Sequence, residues 1–204
     1  MTATRPGQAR PSWAHRSARL TTEVFAPWVV VTTLPLAIAW HAVDSALLAL
    51  GWGLLVATFG AAIPMAVIVR GARTGRWDGH HVSNRAGRLV PLLVCVTSVT
   101  TALALLLLLG APQAMVALDV AMLATVAAIV AVTRWWKISA HTSVSGGAVI
   151  IAALAYGPVV LAAVPLVALI GWSRVVLDEH TVAQVGTGIL LGAVVAGATY
   201  TGLR

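Results

Sequence analysis

The chain has 204 residues, of which 59% are hydrophobic and only 9% are charged. A soluble domain of similar size usually carries about 25% charged residues, so this composition excludes a water-soluble globular protein. The formal net charge of +7 does not require a nucleic-acid partner, because topology signals and lipid headgroups account for basic residues in a membrane protein. We therefore predict an integral membrane protein that is surrounded by membrane lipids and does not bind nucleic acid.

Five uncharged stretches make up most of the chain: 24–42, 45–69, 89–118, 120–133 and 143–172. One bilayer crossing takes about 20 apolar residues, so the third and fifth stretches are too long for a single straight helix. They divide naturally at Gly110-Ala111-Pro112 and near Gly157-Pro158. The sequence thus predicts an all-α, polytopic transmembrane bundle of six or seven helices, at about 24–43, 45–69, 89–110, 113–133, 140–156, 158–173 and 180–201.

The N-terminal segment 1–20 differs from the rest of the chain in composition. It is polar and basic and contains Pro6 and Pro11. We predict a basic mobile tail over 1–20 and one transmembrane domain over 21–204. The helices that start at 140 and 158 are short for a full crossing, and we expect longer helices to surround them or a polar pocket to lie at their start.

The basic residues lie mostly on one side of the membrane when the predicted helices alternate. Twelve of the thirteen Lys and Arg residues fall on the N-terminal side, called side A, and Arg204 is the exception. Five of the side-A residues could be there for catalysis or binding instead: Arg85, Arg88, Arg134, Lys137 and Arg174. Without them, seven basic residues remain on side A and one on the opposite side. Because excess Lys and Arg marks the cytoplasmic side, we predict a multi-pass protein of the cell (plasma) membrane whose N-terminus and side-A residues are cytoplasmic.

Polar residues that could take part in catalysis or ligand binding also cluster on side A. They fall in three segments: 78–88, 137–143 and 173–184. Four basic side chains of these segments are expected to converge at the ends of packed helices: Arg85, Arg88, Lys137 and Arg174. Guanidinium groups bind phosphate oxygens in a bidentate manner, and the N-terminus of the helix that opens at Ser139 favours an anion. With His141 and His180 as proton donor and nucleophile, the pattern predicts a phosphoryl-transfer site without a metal or cofactor.

These segments resemble the type 2 phosphatidic acid phosphatase superfamily, whose three motifs are K-x6-R-P, P-S-G-H and S-R-x5-H-x3-D. Ser173, Arg174 and His180 match the third motif in register. The second motif corresponds to Ile138-Ser139-Ala140-His141, which keeps the Ser and His but not the Pro and Gly. In the first, His81 stands seven residues before Arg88 where the family has Lys, and Pro91 follows three residues after Arg88. The resemblance covers residues 70–200 approximately. Within the superfamily, the chain resembles a compact bacterial branch of lipid-phosphate phosphatases.

The resemblance implies a role for each matched residue. His180 would attack phosphorus to form a phosphohistidine, and His141 would protonate the leaving lipid oxygen. The phosphoryl oxygens would be bound by Arg174, Arg88 and the Ser139–Ala140 backbone, with Ser173 and His81 as further motif positions. We add Arg85 and Lys137 by proximity. The implied substrate is a phosphate or diphosphate monoester of a lipid, for example a polyprenyl lipid; the tail, headgroup and oligomeric state are left open.

One position departs from the family in a chemically important way. The final Asp of the third motif orients the nucleophilic His, and this chain has Gln184 there. The Gln carbonyl can accept a hydrogen bond from the imidazole N–H, but it supplies no charge to stabilise imidazolium. In a Ser-His-Asp triad, the change from Asp to Asn lowers kcat by about 10⁴ because the wrong tautomer forms. Gln184 in place of Asp is therefore expected to affect the catalytic rate.

Two other functions are compatible with parts of the pattern. A prenyl-diphosphate transferase or cyclase usually binds Mg²⁺ through Asp-rich motifs, and the chain has six acidic residues and no pair of such motifs. A non-catalytic lipid-binding or transport relative is favoured by Gln184 and the altered first motif, and is opposed by the two histidines. We also expect Gly146-Gly147 and the small residues after Gly186 to serve close helix packing rather than phosphate binding.

The predicted orientation can be tested with a single introduced thiol. A cysteine at Gly79, in a Cys95→Ser background, should stay unlabelled by a membrane-impermeant thiol reagent in intact cells, because loop 70–88 is on the cytoplasmic side. The same reagent should label it after the membrane is permeabilised. Rapid labelling in intact cells would reverse the orientation.

Overall fold

The computed structural model describes residues 12–76 and 89–204, and all regular secondary structure in these ranges is helical. The described ranges contain nine α-helices in chain order: α1 Trp13–Val24, α2 Pro27–Ala42, α3 Ala46–Ala57, α4 Ile63–Arg73, α5 Leu89–Leu108, α6 Gln113–Thr133, α7 Ala140–Tyr156, α8 Val164–Val176 and α9 Val182–Leu203. A π-helical turn, Thr58–Ala62, joins α3 to α4, and a 3₁₀ turn, Pro158–Ala163, leads into α8.

Within residues 12–76 and 89–204, five helical segments are long and apolar enough to cross a membrane: Ala46–Arg73, Leu89–Leu108, Gln113–Thr133, Pro158–Val176 and Val182–Leu203. A sixth span arises if α1 and α2, which meet at a bend of 42°, are taken together. The predicted breaks are present, because Gly110 and Gly157 take positive φ angles of 68° and 98° between helices. These observations confirm an all-helical bundle with the spans of a multi-pass membrane protein.

The N-terminal segment differs from its prediction. Residues 13–24 form helix α1, whose N-cap Ser12 accepts a hydrogen bond from the His15 amide. One face of α1 packs on α8 and buries Ala18 and Thr22. Residues 13–20 of the predicted tail are therefore part of a helix that is stabilised by tertiary packing, which the basic composition does not reveal. Residues 1–11 lie outside the described ranges.

Helix α7 lies among α2, α6, α8 and α9. Its 17 residues extend about 25 Å at 1.5 Å per residue, less than the roughly 30 Å thickness of the hydrocarbon core. Two of these neighbours, α6 and α9, are longer than α7, and the other two, α2 and α8, are shorter. Seven of its residues are buried, including the polar His141, Thr142, Ser143 and Ser145, so α7 presents polar side chains to the interior rather than to lipid.

Glycine allows α7 and α9 to approach backbone to backbone. A Cβ atom at Gly192 would lie 1.8 Å from the Ser143 carbonyl oxygen, and one at Gly146 would lie 2.8 Å from the Ile189 carbonyl oxygen. The Thr142 hydroxyl donates a hydrogen bond of 3.2 Å to the Val185 carbonyl across the same contact. The predicted packing role of these glycines is confirmed, and the contact fixes the side-A ends of α7 and α9 next to each other.

A buried apolar cluster lies toward the opposite, side-B end of the bundle. It joins α2, α3, α5, α6, α7 and α9 through residues that include Ile38, Val56, Leu106, Leu118 and Ile151. The side-A ends of α7 and α9 are outside this cluster, and that is where the polar residues of interest lie.

Replacing Gly192 with Ala should destabilise the bundle, because the new methyl group would overlap the backbone of Ser143. Overpacking of this kind costs about 1–3 kcal/mol. Gly186→Ala in the same helix is the matched control, since a Cβ there meets no atom within 4 Å and Ala is the better helix former. Thermal unfolding in detergent should show a lower midpoint for Gly192→Ala and an unchanged or higher midpoint for Gly186→Ala. Equal midpoints would contradict the close contact.

Candidate functional site

A cavity of about 240 Å³ lies inside the bundle and has one polar end. His141, Arg174 and His180 line that end, and all three are buried, with exposed fractions of 6%, 2% and 6%. The structure thus brings together the three central residues that the sequence predicted, from the start of α7, the end of α8 and the segment before α9.

The rest of the cavity wall is mainly apolar. It is formed by residues of α2, α4, α5, α6, α7 and α9, among them Leu34, Met65, Val99, Met122 and Ile151. His141 and Ile151 both line the cavity and are ten residues apart in α7, a distance of about 15 Å along the helix. The cavity is therefore amphipathic along its length, with basic and imidazole groups at one end and hydrocarbon beyond them.

Arg174 is the most deeply buried charged group at the polar end. Its Nη1 donates a hydrogen bond of 3.3 Å to Thr22 Oγ1, and its Nη2 lies 3.8 Å from Glu179 Oε2. Its Nε has no hydrogen-bond partner among the described residues. A guanidinium group has five N–H donors, so these contacts leave donor capacity that an anion in the cavity could use.

Thr22 of α1 connects Arg174 to a short hydrogen-bond chain. Its Oγ1 lies 3.1 Å from Ser173 Oγ, and the Ser173 hydroxyl donates to the Ile170 carbonyl at 2.7 Å. Because Ser173 has only one hydroxyl hydrogen, Thr22 must donate to Ser173 while accepting from Arg174. Ser173, predicted as part of the phosphate site, thus joins α8 to α1 and orients Arg174 through Thr22.

The end of α8 explains the spacing between Arg174 and His180. Both the Glu179 and the His180 amides donate to the Arg174 carbonyl, each at 3.1 Å. Asp178, which lies between Arg174 and His180 in the sequence, takes a positive φ of 53°. This left-handed conformation closes a helix C-terminus, and Asp tolerates it better than most residues. The chain reversal returns His180 to the level of Arg174.

Gln184 orients His180, and it also caps α9. The Gln184 Oε1 atom lies 3.1 Å from His180 Nδ1 and 3.2 Å from the Thr181 amide nitrogen, while Thr181 Oγ1 accepts from the Gln184 amide. The Thr181 amide can only donate, so the side-chain atom that faces it is the carbonyl oxygen. That oxygen accepts from a protonated His180 Nδ1, which places the lone pair of the imidazole on Nε2.

The start of α7 contributes both a histidine and a helix N-terminus. Ser139, which is fully buried, is the N-cap, and its Oγ accepts from the Thr142 amide at 3.4 Å. Ala140 and His141 follow in the first turn and line the cavity. The positive end of the α7 dipole is therefore directed to the same polar end as Arg174.

The other predicted residues fall into two groups. Lys137 lies beside the site, with its Nζ 4.0 Å from Glu179 Oε2. The predicted positions His81, Arg85 and Arg88 lie outside the described residues. Among the residues in the described ranges, no group of three or more His, Cys, Asp or Glu side chains could hold a metal ion.

Three residues at this end were not identified from the sequence: Thr22, Thr133 and Glu179. Thr133, at the end of α6, lines the cavity, and its hydroxyl has no hydrogen-bond partner within the described part of the chain. Glu179 adjoins His180, so adjacency alone could have indicated it. Thr22 is 152 residues from Arg174, and no local pattern indicates their contact.

Comparisons of the chain with models of protein families, with curated proteins and with solved structures find no match.

The tautomer of His180 should depend on Gln184. In the wild type, ¹⁵N NMR of the imidazole should show a protonated Nδ1 and an unprotonated Nε2 above the pH at which the ring is neutral. Gln184→Leu removes the acceptor, so the ring should shift toward the tautomer protonated at Nε2. His41, which packs against Tyr156 in a tilted arrangement at a ring-centroid distance of 4.8 Å, is an internal reference whose signals should not change. An unaltered His180 spectrum in Gln184→Leu would show that Gln184 does not orient the ring.

Proposed function

We propose that this chain is a membrane lipid-phosphate phosphatase that hydrolyses a phosphate or diphosphate monoester of a lipid through a phosphohistidine intermediate. The observation that carries the proposal is the buried Arg174 guanidinium, which lies with His141 and His180 at the polar end of an otherwise apolar cavity. A buried charge usually needs a paired anion, and two histidines beside it provide both a nucleophile and an acid. The resemblance to the type 2 phosphatidic acid phosphatase superfamily supports the same chemistry.

The shape of the cavity supports a lipid rather than a soluble phosphate ester. A phosphate head would bind beside Arg174 and at the N-terminus of α7, where charge-assisted hydrogen bonds favour an anion. The lipid tail would extend along the apolar wall, which reaches about 15 Å beyond His141. A tail in this position exchanges lipid contacts for protein contacts, so binding requires no transfer of hydrocarbon into water.

The proposed reaction has two displacement steps at phosphorus. The unprotonated Nε2 of His180 attacks the terminal phosphorus, and the bond from that phosphorus to the leaving oxygen breaks. The leaving oxygen is the ester oxygen of a lipid monophosphate or the bridging oxygen of a lipid diphosphate, and His141 donates a proton to it. Water then attacks the phosphohistidine, His141 accepts a proton from the water, and the bond from phosphorus to His180 breaks to release inorganic phosphate. Arg174 binds the phosphoryl oxygens in both steps, where electrostatic stabilisation of the developing charge lowers the barrier. No metal or cofactor takes part.

Gln184 supplies orientation without charge in this scheme. Its carbonyl holds His180 Nδ1–H, so Nε2 is directed for attack, but it does not stabilise the imidazolium as the family's Asp would. A non-catalytic lipid-phosphate binder is the second candidate, and Gln184 is the residue that favours it. We place the protein in the plasma membrane with the site on the cytoplasmic face, on the distribution of its basic residues.

Phosphate release from a panel of lipid phosphates, measured with and without EDTA, separates the candidate functions. The proposed phosphatase should turn over equally in EDTA. A Mg²⁺-dependent prenyl-diphosphate enzyme should stop on chelation, and a binder or transporter should release no phosphate under either condition.

His180→Ala should abolish turnover, because it removes the nucleophile, while lipid-phosphate binding should persist through Arg174. The wild type, given a ³²P-labelled substrate and quenched rapidly, should carry acid-labile, base-stable label, and His180→Ala should carry none. His41→Ala is the matched control, since His41 lies in the last turn of α2 and does not line the cavity. Normal turnover by His180→Ala would rule out the phosphohistidine mechanism.

A further inference from the structure

Glu179 places a carboxylate between the two cations that the proposed function assigns to phosphate. Its Oε2 atom lies 3.8 Å from Arg174 Nη2 and 4.0 Å from Lys137 Nζ. A carboxylate oxygen and a phosphate oxygen make the same kind of charge-assisted contact with guanidinium and ammonium groups. Glu179 therefore contacts the same two groups that a phosphate oxygen would contact.

The backbone holds Glu179 at this position, whereas its side chain is partly exposed. The Glu179 amide donates to the Arg174 carbonyl at 3.1 Å, and the left-handed Asp178 directs the chain back over the end of α8. The Glu179 and Lys137 side chains are each about one-quarter exposed, whereas that of Arg174 is 2% exposed. A side-chain rotation of Glu179 can thus release both cations while Arg174 stays in place through Thr22.

We propose that Glu179 is a resident anion that competes with phosphate for Arg174 and Lys137. An incoming phosphate must displace the carboxylate, and the carboxylate returns when phosphate leaves. The competition weakens the binding of inorganic phosphate, the product of the proposed reaction, and thereby favours its release. This inference rests on the proposed function, because it takes the two cations to be the phosphate-binding groups.

Binding of inorganic phosphate to the purified, full-length protein in detergent tests the inference without any turnover. Glu179→Gln keeps the size of the side chain and removes its charge, so phosphate should bind roughly 3- to 10-fold more tightly than to the wild type, as expected for the loss of one partly exposed competing charge. Asp178→Asn is the matched control: it removes a neighbouring negative charge and retains a residue that tolerates positive φ. Its phosphate affinity should equal that of the wild type.

The possible results separate this inference from the proposed function. If the wild type binds phosphate, Arg174→Gln abolishes that binding and Glu179→Gln binds no more tightly than the wild type, the phosphate site stands and the competition is wrong. Weaker binding by Glu179→Gln, with an unchanged thermal unfolding midpoint, would also overturn the competition, since Glu179 would then support the site. If neither the wild type nor Glu179→Gln binds phosphate, both proposals fail. If Asp178→Asn binds phosphate more tightly by the same factor as Glu179→Gln, the gain comes from the change in net charge alone. That result would overturn the specific role of Glu179.

Discussion

The backbone contact between α7 and α9 is the constraint on which the candidate site depends. His141 is in the first turn of α7, and His180 immediately precedes the cap of α9. Their side chains share one end of a cavity because Gly146 and Gly192 let the two backbones approach without an intervening Cβ. A wider separation of the helices would move the histidines apart and open the polar end to lipid or water. Small residues at a helix crossing thus determine the geometry of groups a full turn or more away, as expected where helices associate by packing rather than by a hydrophobic driving force.

Much of the fold could be predicted from the sequence because lipid imposes simple rules. Uncharged stretches must be helical to satisfy their backbone groups, and Gly-Pro and Gly-Ala-Pro interruptions mark where the helices end, as the positive φ angles of Gly110 and Gly157 confirm. Helix α1 could not be predicted in this way. Its exposed Trp13 and Leu20 are interspersed with arginines, so its composition resembles that of a tail. Its order comes from the burial of Ala18 and Thr22 against α8, which depends on residues some 150 positions away.

The site shows a similar division between local and distant information. The spacing of Arg174, His180 and Gln184 is set within one helix end, one reversal and one capping box, so these residues could be identified from a local pattern, and His141 from its position at a helix start. The sequence gives no comparable signal for Thr22, whose contact with Arg174 exists only after α1 packs on α8. It also could not show that the Gln184 amide is fixed in one orientation. The Thr181 amide settles that point, because it requires an oxygen opposite it.

The polar face of α7 has a consequence for how the chain enters the membrane. Taken alone, α7 has only 17 residues and carries His141, Thr142, Ser143, Ser145 and two adjacent glycines in its first half, so that half gains little by contact with lipid. The Ser143 and Ser145 hydroxyls donate to carbonyls at the start of α7 itself. The Thr142 contact with the Val185 carbonyl and the close backbone contact at Gly146 form only when α9 arrives, 25 residues after α7 ends. Stable integration of α7 must therefore wait until α8 has crossed and α9 can pack against it. The buried polar residues and glycines of α7 thus make this segment a poor autonomous membrane span, and biogenesis of the bundle couples the insertion of α7 to that of α9.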